Sequence, residues 1–348
     1  MAVKFGIIGA GGIAQGSCRE IAAHPKAEIV SICDSNRERL EKLGKAHGVK
    51  RLYANSTELL ASKDIDAVYI AVPNAFHAPL AEEALDAGKH VILEKPFALN
   101  LREANAVAAA MARSGAIFML GMNQRFAPGP QRIKSLVSSG ALGDVYHAKA
   151  FWMRRSGIPR LGTWFGNKQL AGGGSLLDIG VHVMDLALYL MDNFEPEAVT
   201  GAAYTRFGDR GLGEGGWGIS EPERIAFDVD DFATAIVKLK GGASLSLDVS
   251  WALHQGQGNQ MNVNLYGSEA GASVYPAELY KFGDGDEYHV VQNPAADMIY
   301  PHTSRFHNFI NAILGEEKPC VTIEQALAVQ SIIDAIYRSC ETGKETRL

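Results

Sequence analysis

The sequence predicts an α/β chain of two domains. A doubly wound domain with a parallel sheet spans residues 1–122, and an α+β domain with an open, mostly antiparallel sheet spans 123–348. Three observations carry this. Up to Gly121, short apolar runs alternate with helix-length amphipathic stretches, the pattern of βαβ units. After Gly121, strands with period-two alternation dominate. The length of 348 residues exceeds what one typical core organises.

The elements follow in order. Val3–Ile8 is an apolar strand closed by glycines, and a helical stretch runs from Ile13 to His24. Glu28–Cys33 is the second strand and Asn36–His47 a charged helix. Ala67–Val72 and His90–Leu93 read as buried strands, with a helix over His77–Asp86 between them. Asn100 caps a helix running to Arg113, and Glu103 is spaced to complete a capping box. Ile117–Gly121 is one more apolar strand.

Met122–Pro130 reads as a linker leading into a helix that ends near Ser138. Val145–Met153, Ala198–Phe207, Met261–Gly267, Leu279–Phe282 and His289–Gln292 are strand candidates. The clearest strand is Ala243–Leu253, where Leu245, Leu247, Val249, Trp251 and Leu253 alternate with Ser244, Ser246, Asp248 and Ser250. Gly241-Gly242 joins it to Phe232–Lys240 as a two-residue hairpin. One face of such a sheet needs cover, from the first domain or from another subunit. Residues 206–230 carry six glycines around Trp217, and read either as an inserted loop or as a lid or arm reaching a neighbouring subunit. The last helix, Ile323–Cys340, either stays with the second domain or packs back on the first.

Composition narrows the function classes. A 47% hydrophobic and 21% charged chain is globular. Its net charge of −6 gives no electrostatic footing for nucleic acid or for an anionic membrane surface. Cys18, Cys33, Cys320 and Cys340 are scattered without a CxxC pair, which points to reduced thiols and not to a disulfide framework or metal site. No apolar run is read as a membrane span, and no signal-peptide pattern precedes Val3. The expectation is a cytoplasmic protein.

Chemistry concentrates in four places. Gly9-Ala10-Gly11-Gly12-Ile13-Ala14 fits GxGxxA between a strand and a helix. Gly9 permits the tight turn, Gly11 lets backbone approach a pyrophosphate, and Ala14 allows close packing of helix on strand. Twenty residues past Ala14, Asp34 ends the second strand, where a carboxylate accepts from ribose hydroxyls and repels a 2′-phosphate. This favours NAD over NADP, against the nearby cations Arg37 and Arg39; the alternative for Asp34 is a helix cap. Val72-Pro73-Asn74 falls on the ligand-binding rim of the sheet, and His77 reads equally as a cofactor contact or as a helix start.

Glu94-Lys95-Pro96 ends the strand His90–Leu93, which holds Lys95 at that same rim; the proline restricts its backbone and admits a cis bond. Gly172-Gly173-Gly174-Ser175 precedes a helical stretch bearing Asp178 and His182. The glycines admit close approach of a ligand, and the pair, four residues apart, shares one helical face. An acid beside an imidazole fixes its tautomer and raises its basicity. Without a nucleotide site upstream, an exposed polar pair is the plainer reading.

In this order and at these separations, the glycine turn, Glu94-Lys95-Pro96 and the Gly-Gly-Gly…Asp178…His182 block resemble the Gfo/Idh/MocA family over essentially the whole chain. The resemblance implies a Rossmann domain followed by a domain built on an open sheet, often used for oligomerisation. It also implies NAD(P)-dependent oxidation or reduction of sugars, inositols and related polyols, with Lys95, Asp178 and His182 as the catalytic set and Glu94 near the nicotinamide ribose. The assembly expected is a homodimer or homotetramer. In that scheme His182 is the general base, Asp178 orients it, and Lys95 stabilises the substrate oxygen. Arg125, Arg155, Trp164 and His302 are candidate sugar contacts, each with a structural role as the alternative. Two other classes stay open: an NAD-retaining glycosidase or lyase working through a transient ketone, and a non-catalytic dinucleotide or sugar sensor.

Overall fold

In the computed structural model, which describes residues 2–216, 226–285 and 287–348, the chain divides after Met122. One unit is Met1–Met122 with Ser304–Leu327; the other is Asn123–Thr303 with Ala328–Leu348. The first unit therefore takes in Ser304–Leu327, a stretch that the sequence reading assigns to the second domain.

The first unit alternates strand and helix: β1 (Val3–Ile8), α1 (Gly12–Ala22), β2 (Ala27–Cys33), α2 (Arg37–His47), β3 (Arg51–Tyr53), α3 (Ser56–Leu60), β4 (Ala67–Ile70), α4 (His77–Asp86), β5 (His90–Leu93), α5 (Leu101–Ser114) and β6 (Phe118–Leu120). All strand pairs are parallel, in the order β3-β2-β1-β4-β5-β6. Strands covered on both faces read as unbroken apolar runs, and Ala67, Val68, Tyr69 and Ile70 are all fully buried. The helices start where Asn side chains accept orphan N–H groups. Asn36 Oδ1 accepts from Arg39 N at 2.9 Å, and Asn100 Oδ1 from Glu103 N at 3.1 Å. Glu103 reaches back, but to Leu99 N and to the Asn100 side-chain amide and not to Asn100 N, so the expected capping box forms only in its first half. The chain order reverses between β1 and β4, whose following loops diverge and leave a crevice at the carboxyl ends of the strands.

The second unit departs from the sequence reading in detail. Met122–Pro130 is not an open linker: Asn123–Phe126 forms a 3₁₀ turn, and α6 (Pro128–Ser138) begins with a proline whose missing N–H costs nothing in the first helical turn. Next come β7 (Val145–Arg154), α7 (Lys168–Ala171), α8 (Val181–Met191), β8 (Pro196–Tyr204), β9 (Phe232–Leu239), β10 (Ser244–Ser250), β11 (Asn259–Gly267), β12 (Gly271–Ser273), β13 (Glu278–Phe282) and β14 (Tyr288–Gln292). They build one sheet in the order β14-β13-β12-β11-β7-β10-β9-β8-β15, with β15 at Thr346–Arg347. Most pairs are antiparallel, but β7 and β10 run parallel at its centre. Period-two alternation carries no strand direction, so the sequence could not distinguish this pair. The hairpin is longer than expected: Lys240, Gly241 and Gly242 form a three-residue turn, with both glycines at positive φ, closed by Leu239 N to Ala243 O at 2.8 Å.

One face of this sheet packs on α8 and is dry: Ala148, Ala150, Leu245, Leu247 and Val249 are buried. The helical run Lys168–Met191 is long and apolar enough to span a membrane by length and composition only; 89% of its apolar window is buried inside the fold as a core segment. Of the 206–230 stretch, Gly208–Arg210 forms a 3₁₀ turn, while Trp217 and Gly218 lie outside the described residues. All four cysteines are free, and burial pushes the Cys18 thiol up to about 12.

Two helices close the chain. α9 (Arg305–Ile313), absent from the sequence reading, packs Phe306 edge-on against Tyr69 and Phe309 against Phe5 in the first unit. α10 spans Ile323–Thr342.

Candidate active site

In the first unit the glycine turn has the geometry its spacing predicts. Gly9 sits at φ +102, and a Cβ there would collide with the Ala71 carbonyl, so the β1–α1 turn and the end of β4 can approach only through a glycine. Gly11 and Gly12 face open space, Ile13 is exposed, and Ala14 is buried beneath them. Gly11 caps α1 without a side-chain acceptor, so the helix start offers its N–H groups to an anion. Asp34 Oδ2 accepts from Ala10 N at 2.6 Å and Oδ1 from Asn36 N at 2.7 Å. Asn36, not Asp34, is the cap of α2. Beside Asp34 lies a cavity of ≈ 270 Å³, lined also by Ser35, Arg37, Glu41 and Ala54. A turn with room above it, a free helix start and a carboxylate facing a cavity fit a dinucleotide.

The rim loops are tied together from below. His77 is buried, with Nδ1 2.7 Å from the Pro96 carbonyl and Nε2 3.0 Å from the Val72 carbonyl. It thereby fastens the loop after β4, through Val72-Pro73-Asn74, to the loop after β5. The Lys95–Pro96 bond is cis. Glu94 is buried; its Oε1 accepts from the Tyr69 hydroxyl at 2.5 Å and from Arg305 of α9. Burial pushes the Glu94 carboxyl up, but the charge of Arg305 and the hydrogen bonds from Arg305 and Tyr69 outweigh it and hold the group below the ordinary carboxylate range. Arg305 also donates to the Gly121 carbonyl and to Ser17 Oγ. Lys95 therefore stands on a strand end braced by β6, α1 and α9.

In the second unit, Asp178 lies in a π-helical turn, Leu176–Gly180, that runs into α8. Such turns recur at functional sites. From Gly173 to Met191 every residue is buried except Asp178 and His182. The two polar side chains thus surface together from an otherwise buried stretch. Asp178 Oδ2 accepts from the indole N–H of Trp251, fully buried just past β10, at 3.0 Å. The His182 ring lies 6.0 Å from the Trp152 ring, which carries the Arg154 guanidinium 4.6 Å from its centroid. Burial pulls the Arg154 guanidinium below its ordinary value, and the charge of Asp178 opposes this. The stretch from Trp152 to Lys168, with Arg154, resembles a sugar-oxidising or sugar-reducing subset of the family in sequence, but neither Trp152 nor Arg154 is given a role at the site there, and Trp251 reads only as a strand residue. Strand alternation is the one signal that could have found the first two, since they continue the row of Ala148 and Ala150 that faces α8.

The candidate sugar contacts fall out unevenly. Arg125 is fully buried and gives a two-point ion pair to Asp185, at 2.8 and 2.6 Å, between the rings of Tyr189 and Phe194. The expected sugar contact there gives way to a core ion pair, because a buried guanidinium must be matched by a carboxylate. Arg155 is exposed, with a 3.4 Å contact to the Gly256 carbonyl. Trp164 is half-buried and stacks on Phe165 at 3.8 Å. His302 stacks on Tyr300 at 5.6 Å.

Comparison with known proteins gives the family. Residues 3–122 match a family model described as the oxidoreductase family with NAD-binding Rossmann fold, and residues 131–273 match that of the GFO/IDH/MocA C-terminal domain. The chain is 30% identical to D-glucoside 3-dehydrogenase of Escherichia coli (strain K12), over 99% of this chain and 97% of that protein. It is 29% identical to glucose-6-phosphate 3-dehydrogenase of Bacillus subtilis (strain 168), over 71% and 67%. Its fold matches levoglucosan dehydrogenase in complex with NADH and levoglucosan at a TM-score of 0.85, with 23% identity over 100% of this chain and 99% of the other. With both halves matched and one relative aligned end to end, the chain belongs to the Gfo/Idh/MocA family of NAD(P)-dependent oxidoreductases acting on CH–OH groups.

Proposed function

We propose that this enzyme oxidises a secondary hydroxyl of a sugar, inositol or related polyol, or reduces the matching ketone, with NAD as its preferred partner. The observation that carries the reading is the joint emergence of Asp178 and His182 from a helix otherwise buried from Gly173 to Met191.

His182 takes the hydroxyl proton as the alcohol becomes a carbonyl, a task suited to an imidazole near neutral pH. Asp178, steadied by the Trp251 indole, orients the ring. The Lys95 ammonium stabilises the charge that builds on the substrate oxygen. Nicotinamide, when bound, supplies the two-electron acceptor for hydride. Gly9, Gly11, Gly12 and the start of α1 would hold the pyrophosphate, and Asp34 the adenosine ribose. Two features support NAD over NADP: the Asp34 carboxylate beside the cavity, and the pairing of Arg37 with Glu41 at 2.7 Å, which occupies the nearest guanidinium.

We also propose a homodimer or homotetramer. The sheet face turned away from α8 leaves Tyr204, Ile236 and Tyr266 exposed, which light scattering at graded concentrations would test.

The deciding experiment is a spectrophotometric screen of sugars, inositols and sugar acids with NAD and NADP in both directions. Reduction of NAD by at least one neutral sugar or polyol is the expected result. Product formation without net NADH change would shift the assignment to the NAD-retaining class, and no turnover at all would sink it.

A further inference from the structure

Gly172-Gly173-Gly174 reads in the sequence as room for a ligand. In the second unit that room is filled by protein. Gly172 ends α7 at φ +81. A Cβ on Gly173 would collide with the Tyr337 hydroxyl, and one on Gly174 with the backbone carbonyl of Asp230. What the last two glycines admit is a clamp. Asp230 Oδ1 accepts from Gly174 N at 2.8 Å and from the Tyr337 hydroxyl at 2.7 Å. Its Oδ2 accepts from Ser175 Oγ at 2.8 Å and from Leu176 N at 2.9 Å. Its backbone carbonyl accepts from Ser175 N at 2.9 Å.

Every contact but that of Tyr337 falls at the start of the π-helical turn. Helix starts leave N–H groups without intrahelical partners, and a carboxylate there answers both the missing acceptors and the positive helix end. Asp230 is 6% exposed, a placement that a charge tolerates only when its lone pairs are filled, as they are here. The connection to the site runs through one further bond: the Gly174 carbonyl accepts from Asp178 N at 2.9 Å. Asp230 fixes Gly174, and Gly174 fixes the backbone of Asp178, four residues before His182.

We propose that Asp230 is a positioning residue for the Asp178–His182 pair, with Tyr337 of α10 as its support. The role rests on the reading of His182 as the base. An apolar residue in place of Asp230 would fill the space but leave Gly174 N, Leu176 N and Ser175 Oγ unmatched.

The test uses full-length Asp230→Asn and Tyr337→Phe. Asn keeps the shape but turns one acceptor into a donor facing Leu176 N. Tyr337→Phe leaves the carboxylate and its backbone bonds in place, and so keeps the proposal testable if Asp230→Asn folds poorly. Hydrogen exchange is read first, since it needs no substrate. Amides in 173–182 should exchange about tenfold faster or more in Asp230→Asn, with 244–250 unchanged. Turnover is read next on the hexose that the wild type oxidises fastest, in its protiated and fully C-deuterated forms. We expect kcat to fall on the order of 100-fold in Asp230→Asn, about the cost of misplacing a reacting group by an ångström, and less in Tyr337→Phe. The isotope effect on kcat should rise in both, while NAD affinity holds.

A merely structural role would lower the folded fraction, and with it the rate, without moving the isotope effect; that result overturns the proposal, as does unchanged exchange over 173–182. If His182→Ala keeps near-normal turnover, the reading of His182 as base fails and the positioning role falls with it. The exchange data still show separately whether the clamp holds.

Discussion

Arg305 sets its guanidinium on the carboxylate of Glu94, the residue before Lys95, and both side chains are buried. Breaking one side of a buried ion pair strands the other charge, at a cost of about 3–5 kcal/mol. Arg305→Met should therefore destabilise the first unit by about that amount and weaken turnover through the displaced strand end. Glu94→Gln, which leaves Arg305 without its anion, should do the same. The pH dependence has a definite sign. Glu94 is held below its ordinary value, so its contribution is present above the unfolded carboxyl value of about 4.3 and is lost as pH falls through the folded value. Urea unfolding at neutral and acid pH measures both effects. A Glu94→Gln stability curve that drops as steeply in acid as the wild type would show that this carboxyl is not responsible.

Lys95→Met and His182→Asn separate chemistry from cofactor binding. In the roles proposed for them, loss of the Lys95 cation should lower kcat by about 10²–10³, and loss of the His182 base by about 10²–10⁴. The glycine turn and Asp34 are untouched in both variants. Titration of NADH by fluorescence should therefore give affinities near wild type for His182→Asn, whose side chain lies in the other unit. Near-normal turnover of either variant on the best substrate would remove that residue from the assignment.

Much of this fold was readable because its signals are local. Val3–Ile8, His90–Leu93 and the Asn100 cap need only neighbours within a few residues, and they fall where the periodicity puts them. The GxGxxA turn was readable for the same reason. The supports of the site were not. Trp251 reaches Asp178 across 73 positions, Asp230 reaches Leu176 across 54, and Arg305 reaches Glu94 across 211. No spacing rule links such pairs, and an Asp in a loop or a Trp after a strand looks the same in sequence whether it is solvated or buried. Arg125 failed for the opposite reason: a basic residue in an apparent linker looks available, and only the fold shows Asp185 beneath it.

The proposed preference for NAD rests on two carboxylates at one cavity, Asp34 and Glu41. Asp34→Ser removes the negative charge facing that cavity, but it also frees Ala10 N and Asn36 N, so NAD affinity should fall while the NADP-to-NAD ratio of kcat/KM rises by about tenfold or more. Glu41→Gln leaves Asp34 and the turn intact and releases Arg37, so the same ratio should rise by a smaller factor with little loss of NAD binding. Steady-state kinetics with both cofactors decide the matter. A wild type that already prefers NADP would overturn the role given to Asp34.

Trp251→Phe isolates the indole hydrogen bond from the bulk that surrounds it. The residue is fully buried among Ile158, Leu161, Ile179 and Val229, and phenylalanine keeps most of that packing while removing the N–H that reaches Asp178 Oδ2. The smaller ring and the lost hydrogen bond should together cost about 1–3 kcal/mol. The kinetic effect is the more telling one. Asp178 is only partly shielded from solvent, so water can replace the lost donor, yet water does not hold one carboxylate orientation. The variant should therefore keep its substrate KM and lose about tenfold in kcat, the mark of an interaction that matters in the transition state and not in binding. If kcat stays at the wild-type value in a variant that unfolds at lower urea, Trp251 serves packing alone, and the orientation of Asp178 must come from its other contacts.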